Sequence, residues 1–196
     1  MISNQPVPLT ERLAKERWDI SPELLSRVLI PYRDHCKYLL GASMEYRPIG
    51  PDVNRSASES SIAIEGEMSI GDSCYIDSTG HFNAVEFQIC ANQLLYTMGA
   101  ECVRRGLVEA FAPIALEGYF DRQLPNVLIT NVTSTFRRII DPRSFRGRAE
   151  LDRSYRMKDR VFWECSLVYT DAEGGLADGS VVVTMSLGDR MPAFQK

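Results

Sequence analysis

An α+β fold, with a curled antiparallel sheet wrapped around one long buried helix, follows from three features of this sequence. The first is a proline-free stretch from Asn83 to about Val103 that is apolar on nearly every side. The second is a pair of strand-like segments ahead of it, and the third is a run of four long strand-like segments behind it. A helix of about 20 residues spans about 30 Å, the diameter of a small domain. One that is apolar all round belongs in a core or in a bilayer. Asn83, Glu86, Gln88, Asn92 and Gln93 argue against the bilayer, so the stretch reads as the centre of a soluble core.

The remaining elements fall into place around it. Residues 1–20 read as a polar lead-in, with one or two helical turns in Thr10–Trp18. Ser21-Pro22-Glu23 opens a short helix, with serine as N-cap, proline at the first helical position and an acid in the first turn. Lys37–Arg47 reads as a first strand, Pro48–Ser60 as a turn-rich loop, and Ser61–Ile70 as a half-buried strand by its alternation. Beyond the long helix, Ala115–Gln123 reads as a short helix. Asn126–Ile140, Ser144–Tyr155, Lys158–Thr170 and Leu176–Leu187 are then the four strands. Short turns between them favour antiparallel pairing. Strands this long must curl, and wrapping them round the helix buries it: the hot-dog arrangement. One domain is expected over residues 21–187, with a tail from 188. Half the helix would stay uncovered in a monomer, so a homo-oligomer, dimer or hexamer, is expected.

Composition narrows the function classes. With 196 residues and 44% hydrophobic content the chain can bury a sizeable core, and a net charge of −4 makes nucleic acid an unsuitable main partner. Five scattered cysteines and two histidines lack metal-ligand spacing and a disulfide framework, so neither a metal nor another cofactor is expected. Met1–Arg17 shows no secretory-signal pattern, no membrane span is called for, and a cytoplasmic protein is expected.

The polar residues of the buried stretch carry the functional signal. Asn83, Glu86, Cys90, Gln93 and Thr97 share one stripe of the helix, while Gln88, Asn92 and Tyr96 share another. Buried carboxamides and carboxylates need partners. They either bond the surrounding sheet or line a cavity. Just ahead of them His81 sits on a polar, glycine-hinged loop, and is either an acid/base group beside Asn83 and Glu86 or part of an ordinary capping loop.

The string Tyr75-Ile76-Asp77-Ser78-Thr79-Gly80-His81-Phe82-Asn83-Ala84-Val85-Glu86, with Cys90-Ala91-Asn92-Gln93-Leu94-Leu95-Tyr96, resembles the FcoT-type fatty acyl thioesterase family. The resemblance extends to Glu23–Leu29 with Pro31-Tyr32, to Thr135–Arg138 and to the Asp171–Gly175 turn, and so covers about residues 20–187. It implies a hot-dog enzyme acting on a fatty acyl or enoyl thioester carried by acyl carrier protein or CoA. Two reactions are implied: conjugate addition of glycine to the β-carbon of a (2E)-enoyl-carrier-protein in isonitrile lipid or lipopeptide biosynthesis, which is favoured, and thioester hydrolysis. A non-catalytic acyl-binding module is the third reading. The resemblance also implies tyrosine and asparagine groups at the thioester, which fall on Tyr32, Tyr75, Asn83 and Asn92, with Ser78, Thr79 and Gly80 lining the same loop.

Either reaction needs donors on the thioester carbonyl, where negative charge develops. Backbone N–H groups at the helix start, with Tyr75 and the Asn83 amide, suit that task. His81 is the best base in the string, and Glu86 is placed to orient it. The competing structural readings are a sheet tyrosine at Tyr75, a helix cap at Asn83 and an arginine pair at Glu86. Asn92 lies nine positions beyond Asn83 and serves the same pocket only if that pocket is a tunnel or is shared between subunits. Residues 137–160 hold nine Arg/Lys against four Asp/Glu. Either this is a docking patch for an acidic carrier, to be tested at Arg143 and Arg146, or it is a solvated pair of edge strands with protective charges.

Overall fold

The computed structural model describes residues 15–48 and 61–188. Among them are seven strands, β1 (Glu16–Asp19), β2 (Leu39–Arg47), β3 (Ser61–Met68), β4 (Val127–Arg138), β5 (Phe145–Met157), β6 (Arg160–Thr170) and β7 (Leu176–Ser186). Three α-helices accompany them: α1 (Pro22–Val28), α2 (Ala84–Arg105) and α3 (Leu116–Arg122). All strands pair antiparallel in one sheet of order β1-β2-β3-β5-β6-β7-β4. The sheet curls round α2, as the strand lengths require. Most of the expected loop Pro48–Ser60 and of the tail lies outside the described residues.

Helix α2 packs on the sheet along a seam of small residues. Ala42, Gly66, Gly147, Tyr169, Ala177 and Phe136 follow one another in register across β2, β3, β5, β6, β7 and β4. Leu94 of α2 sits over the Gly66–Gly147 pair. A Cβ on Gly66 would lie 2.8 Å from its Cδ2, and one on Gly147 would lie 2.9 Å from its Cδ1 and 2.6 Å from the Tyr169 ring. The helix makes matching room on its other side. Gly99 is where Tyr119 of α3 packs, and the Tyr119 hydroxyl donates to the Tyr96 carbonyl at 2.9 Å.

Buried polar side chains of α2 then tie it to the strand edges. Gln93, fully buried, accepts from the Tyr38 and Leu39 N–H groups at 3.0 and 2.9 Å and donates to the Cys36 carbonyl at 2.6 Å. Thr97 turns its hydroxyl back onto the Gln93 carbonyl at 2.7 Å. Of the expected polar stripe, Gln93 bonds the chain entering β2 and Thr97 bonds the backbone of its own helix. Glu101 is buried and accepts from Trp18 Nε1 at 2.7 Å, from Arg104 at 2.7 Å and from Arg105 at 2.6 Å.

Two expectations are corrected. The described part of Thr10–Trp18 holds no helical turn: Glu16–Asp19 is a strand paired with Ser43–Tyr46. Tertiary contact overrides local propensity there, because Trp18 reaches the buried Glu101 only from an extended backbone. The sheet therefore starts inside the stretch read as a lead-in. Nor is half of α2 uncovered. Helices α1 and α3 pack on it, and only Ala84, Val85, Arg104 and Arg105 are exposed. The unpartnered apolar surface lies on edge strand β4, where Ile129, Val132 and Phe136 are exposed.

Two predictions follow from this packing. Gly147→Ala forces Leu94 and Tyr169 apart and should cost about 1–3 kcal/mol, while Leu94→Ala should cost about 2–5 kcal/mol. The double variant should be less destabilised than the sum, because truncating Leu94 vacates the space the new methyl needs; strict additivity in urea unfolding would sink the seam. The second concerns acid. Burial raises the Glu101 pKa, but hydrogen bonds from Arg104, Arg105 and Trp18 outweigh it and hold the carboxyl below its ordinary range. A depressed folded pKa contributes stability above the unfolded value and loses it as pH falls through the folded one. Glu101→Gln should therefore cost on the order of 1–2 kcal/mol at neutral pH, allowing for solvent at the part-exposed arginines. That difference should vanish below the folded pKa, as read by thermal unfolding across the acid range.

Candidate active site

The N-terminus of α2 and the loop that leads into it gather most of the candidate residues. The loop is pinned at both ends by backbone bonds: Ser69 N–H to the Tyr38 carbonyl (3.0 Å), Ile70 N–H to Pro142 (2.8 Å) and Phe82 N–H to Ile140 (3.1 Å). Phe82 plugs the core with its ring centroid 4.8 Å from Phe145, 5.0 Å from Tyr169, 6.1 Å from Phe136 and 6.2 Å from Phe87. The sequence did not single out Phe82 or Phe136 as site residues. Phe82 is apolar and reads as core, and Phe136 reaches the loop only through strand order.

Ser78, Thr79 and Gly80 build the turn. Gly80 takes a left-handed φ of 76°, and its N–H donates to the Ser78 hydroxyl at 3.1 Å. The Thr79 hydroxyl donates to the His81 carbonyl at 2.8 Å. His81 is exposed, and its Nδ1 lies 3.1 Å from the Thr79 carbonyl. A carbonyl only accepts, so this contact assigns the proton to Nδ1 in the neutral ring and leaves the Nε2 lone pair free.

Asn83 is the N-cap of α2. Its Oδ1 accepts from the Val85 N–H at 3.0 Å, the Glu86 N–H at 3.2 Å and the Tyr75 hydroxyl at 3.0 Å. Three donors on one oxygen fix the amide plane and turn Nδ2 the other way, where it is buried with no hydrogen-bond partner among the described residues. An unpartnered buried donor is costly and marks a place for an acceptor. Val85 and Glu86, whose N–H groups were candidates for the thioester oxygen, are instead capped by Asn83 itself. Glu86, also buried, accepts the Asn83 N–H on Oε2 at 3.2 Å, completing a capping box. It makes no ion pair among the described residues.

Tyr32 and Asn92 lie elsewhere. Tyr32, just past α1, is half-buried beside Cys90 and Tyr96. Burial, reinforced by those two groups, pushes its pKa up, so it stays a neutral phenol. Asn92 faces along the flank of α2 and accepts from Gln88 Nε2 at 2.9 Å. Nine helical positions place it about 13 Å along the axis from Asn83. The structure therefore joins Tyr75, Asn83 and Glu86 in one hydrogen-bonded unit, sets His81 at its rim, and leaves Tyr32 and Asn92 to the helix flank.

The rim is open and apolar. Tyr75, Ile76, Val85, Phe136 and Ile139 are all exposed around it. Among the described residues, four of the nine Arg/Lys of residues 137–160 pair with acids, and three of these acids lie on other strands. Arg148 pairs with Glu45 at 3.0 Å, Arg146 lies 3.7 and 3.8 Å from Glu65 and Glu67, and Arg143 pairs with Asp141 at 3.0 Å. Arg143 and Arg146 line a surface groove of about 670 Å³ with Ser69, Ser144 and Thr170, but not a free basic patch. No helix of the described residues is long and apolar enough to cross a membrane.

The chain is similar to several known proteins. A "(2E)-enoyl-[ACP] glycyltransferase" of Streptomyces coeruleorubidus is 36% identical over 165 residues, covering 82% of this chain and 93% of that protein. One of the same name from Mycobacterium tuberculosis (strain ATCC 25618 / H37Rv) is 36% identical over 168 residues, covering 83% and 85%. A solved Haemophilus influenzae thioesterase aligns at 13% identity with a TM-score of 0.40, over 74% of this chain and 80% of that one. Residues 27–185 match the FcoT-like thioesterase domain. With a match of that extent, and the helix-in-sheet topology it requires, the chain belongs to the FcoT-like thioesterase domain family.

Proposed function

We propose that this chain adds glycine to the β-carbon of a (2E)-enoyl thioester borne by acyl carrier protein. The observation that carries the reading is the Asn83 amide, locked by three donors on Oδ1 and left with an unpartnered, buried Nδ2. The relatives named for this reaction support it.

Conjugate addition moves charge onto the thioester oxygen. As the glycine nitrogen bonds to C3, the C2–C3 π electrons shift to form an enolate, whose oxygen takes a hydrogen bond from Asn83 Nδ2. Tyr75 acts through Asn83 by holding its carboxamide in that orientation, and Glu86 does the same by fixing the cap. His81 Nε2 accepts the proton released by the amine and returns it to C2 as the enolate collapses. Tyr32 and Asn92, on the α2 flank, serve the acyl chain rather than the reacting atoms. Hydrolysis is the second reading. The free Nε2 of an exposed His81 suits the activation of water as well as of an amine.

The open apolar rim supports a homo-oligomeric enzyme. A second copy docked along the unpaired edge of β4 would cover Ile129, Val132 and Phe136 and exclude water from Asn83.

Intact mass spectrometry of a (2E)-enoyl-carrier-protein with and without glycine separates the two chemistries. Glycine-dependent mass gain on the carrier-bound chain, or release of its adduct, is expected; free acid formed at the same rate without glycine would make hydrolysis the main reaction. Asn83→Ala should lower kcat by about 10²–10³-fold, the usual loss for one oxyanion donor. Tyr75→Phe should lower it less, because two backbone donors still hold Oδ1. Near-normal turnover in His81→Ala would remove the base assignment.

A further inference from the structure

A cavity of about 420 Å³ opens where α3 meets the end of β7 and the far end of β5. It lies at the opposite end of the sheet from the catalytic loop: Phe145, at the start of β5, packs on Phe82, whereas Arg156, near the end of β5, lines this cavity. Pro113, Ile114 and Leu187 give it an apolar wall, and Arg122 and Arg156 supply its charge. Neither guanidinium forms an ion pair with a carboxylate among the described residues. Arg122 donates through Nη1 to the Gly118 carbonyl at 2.9 Å and through Nη2 to the Leu187 carbonyl at 3.5 Å. Its Nε is buried and has no partner among the described residues. Arg156, on an exposed stretch of β5, uses only Nε, to the Lys158 carbonyl at 3.3 Å.

We propose that this cavity is a phosphate-binding site, remote from Asn83, that takes a phosphate ester with an apolar body. The carbonyl contacts account for the Arg122 terminal nitrogens as a tie between α3 and β7, but not for its buried Nε–H. Guanidinium groups pair best with oxyanions, through several directed N–H donors. Two of them approaching from separate elements suit a tetrahedral phosphate, which offers acceptors in several directions at once. The wall of Pro113, Ile114 and Leu187 has nothing to offer a bare ion and favours a ligand that brings apolar surface with its phosphate.

Calorimetric titration with sodium phosphate and with CoA, at ionic strength held constant with sodium chloride, tests the site in the full chain. Saturable phosphate binding is expected, weakened at least tenfold in Arg156→Gln, an exposed position whose loss leaves the fold intact. Arg122→Gln should abolish binding, with far-UV circular dichroism checking that α3 survives. Turnover at the remote Asn83 site should be unchanged in Arg156→Gln without added phosphate. CoA binding that falls in step in Arg156→Gln identifies a thioester carrier as the source of the phosphate; phosphate binding alone falling points to a free phosphate ester. No saturable binding by the wild type, or binding indifferent to Arg156→Gln, overturns the proposal.

Discussion

Everything in this molecule depends on how closely α2 approaches the sheet. The Gly66–Gly147 pair removes side chains from two adjacent strands at one register position, and Leu94 drops into the space. Interiors are packed like crystals, so a gain of a few tenths of an ångström in that approach propagates along the helix. With α2 seated so low, Gln93 can reach across to the N–H groups of Tyr38 and Leu39, and Glu101 can reach Trp18. Both are buried polar groups that would be destabilising if the helix rode higher, because their partners would fall out of range. The seam and the polar ties therefore stand or fall together.

The same helix carries the candidate site at its N-terminal end. Asn83 is the cap that starts α2 and, in the proposed reaction, the donor to the enolate oxygen, and the two roles use opposite ends of one carboxamide. Oδ1 is saturated by Val85, Glu86 and Tyr75, which stabilises the helix and fixes the amide plane. Nδ2 is left without a partner among the described residues, a local cost on the order of 1–3 kcal/mol that a purely structural cap has no need to carry. Capping and catalysis were competing readings of Asn83 in the sequence. The geometry makes them compatible. Glu86 is different: its placement in the capping box accounts for the buried carboxylate without any contact to His81.

Charge shows why a local count misleads. The excess of arginine in residues 137–160 is real as composition, yet β3 lies beside β5 in the sheet and β2 beside β3. Glu45, Glu65 and Glu67 consequently face Arg146 and Arg148 across the strands. Among the described residues, Arg122, Arg138 and Arg156 have backbone carbonyls rather than carboxylates as partners. Which cation is free is a property of strand order.

The sequence by itself determined what depends on near neighbours along the chain. The apolar run marks α2, Asn83 and Ser21 mark helix starts, and alternation marks β3, β5 and β6 to within a few residues, because periodicity and capping are set over one or two turns. The STGHFN block stood out for the same reason, as a contiguous string of residues. Tertiary structure decided whatever depends on distant pairing. It made Glu16–Asp19 a strand, since its partner is β2 and its anchor is Glu101, 83 residues beyond Trp18. It set α1 and α3 over α2, brought Phe136 to Phe82, and left Nδ2 of Asn83 alone. Contacts between residues tens of positions apart leave no period in the chain, and only the closed sheet brings them together.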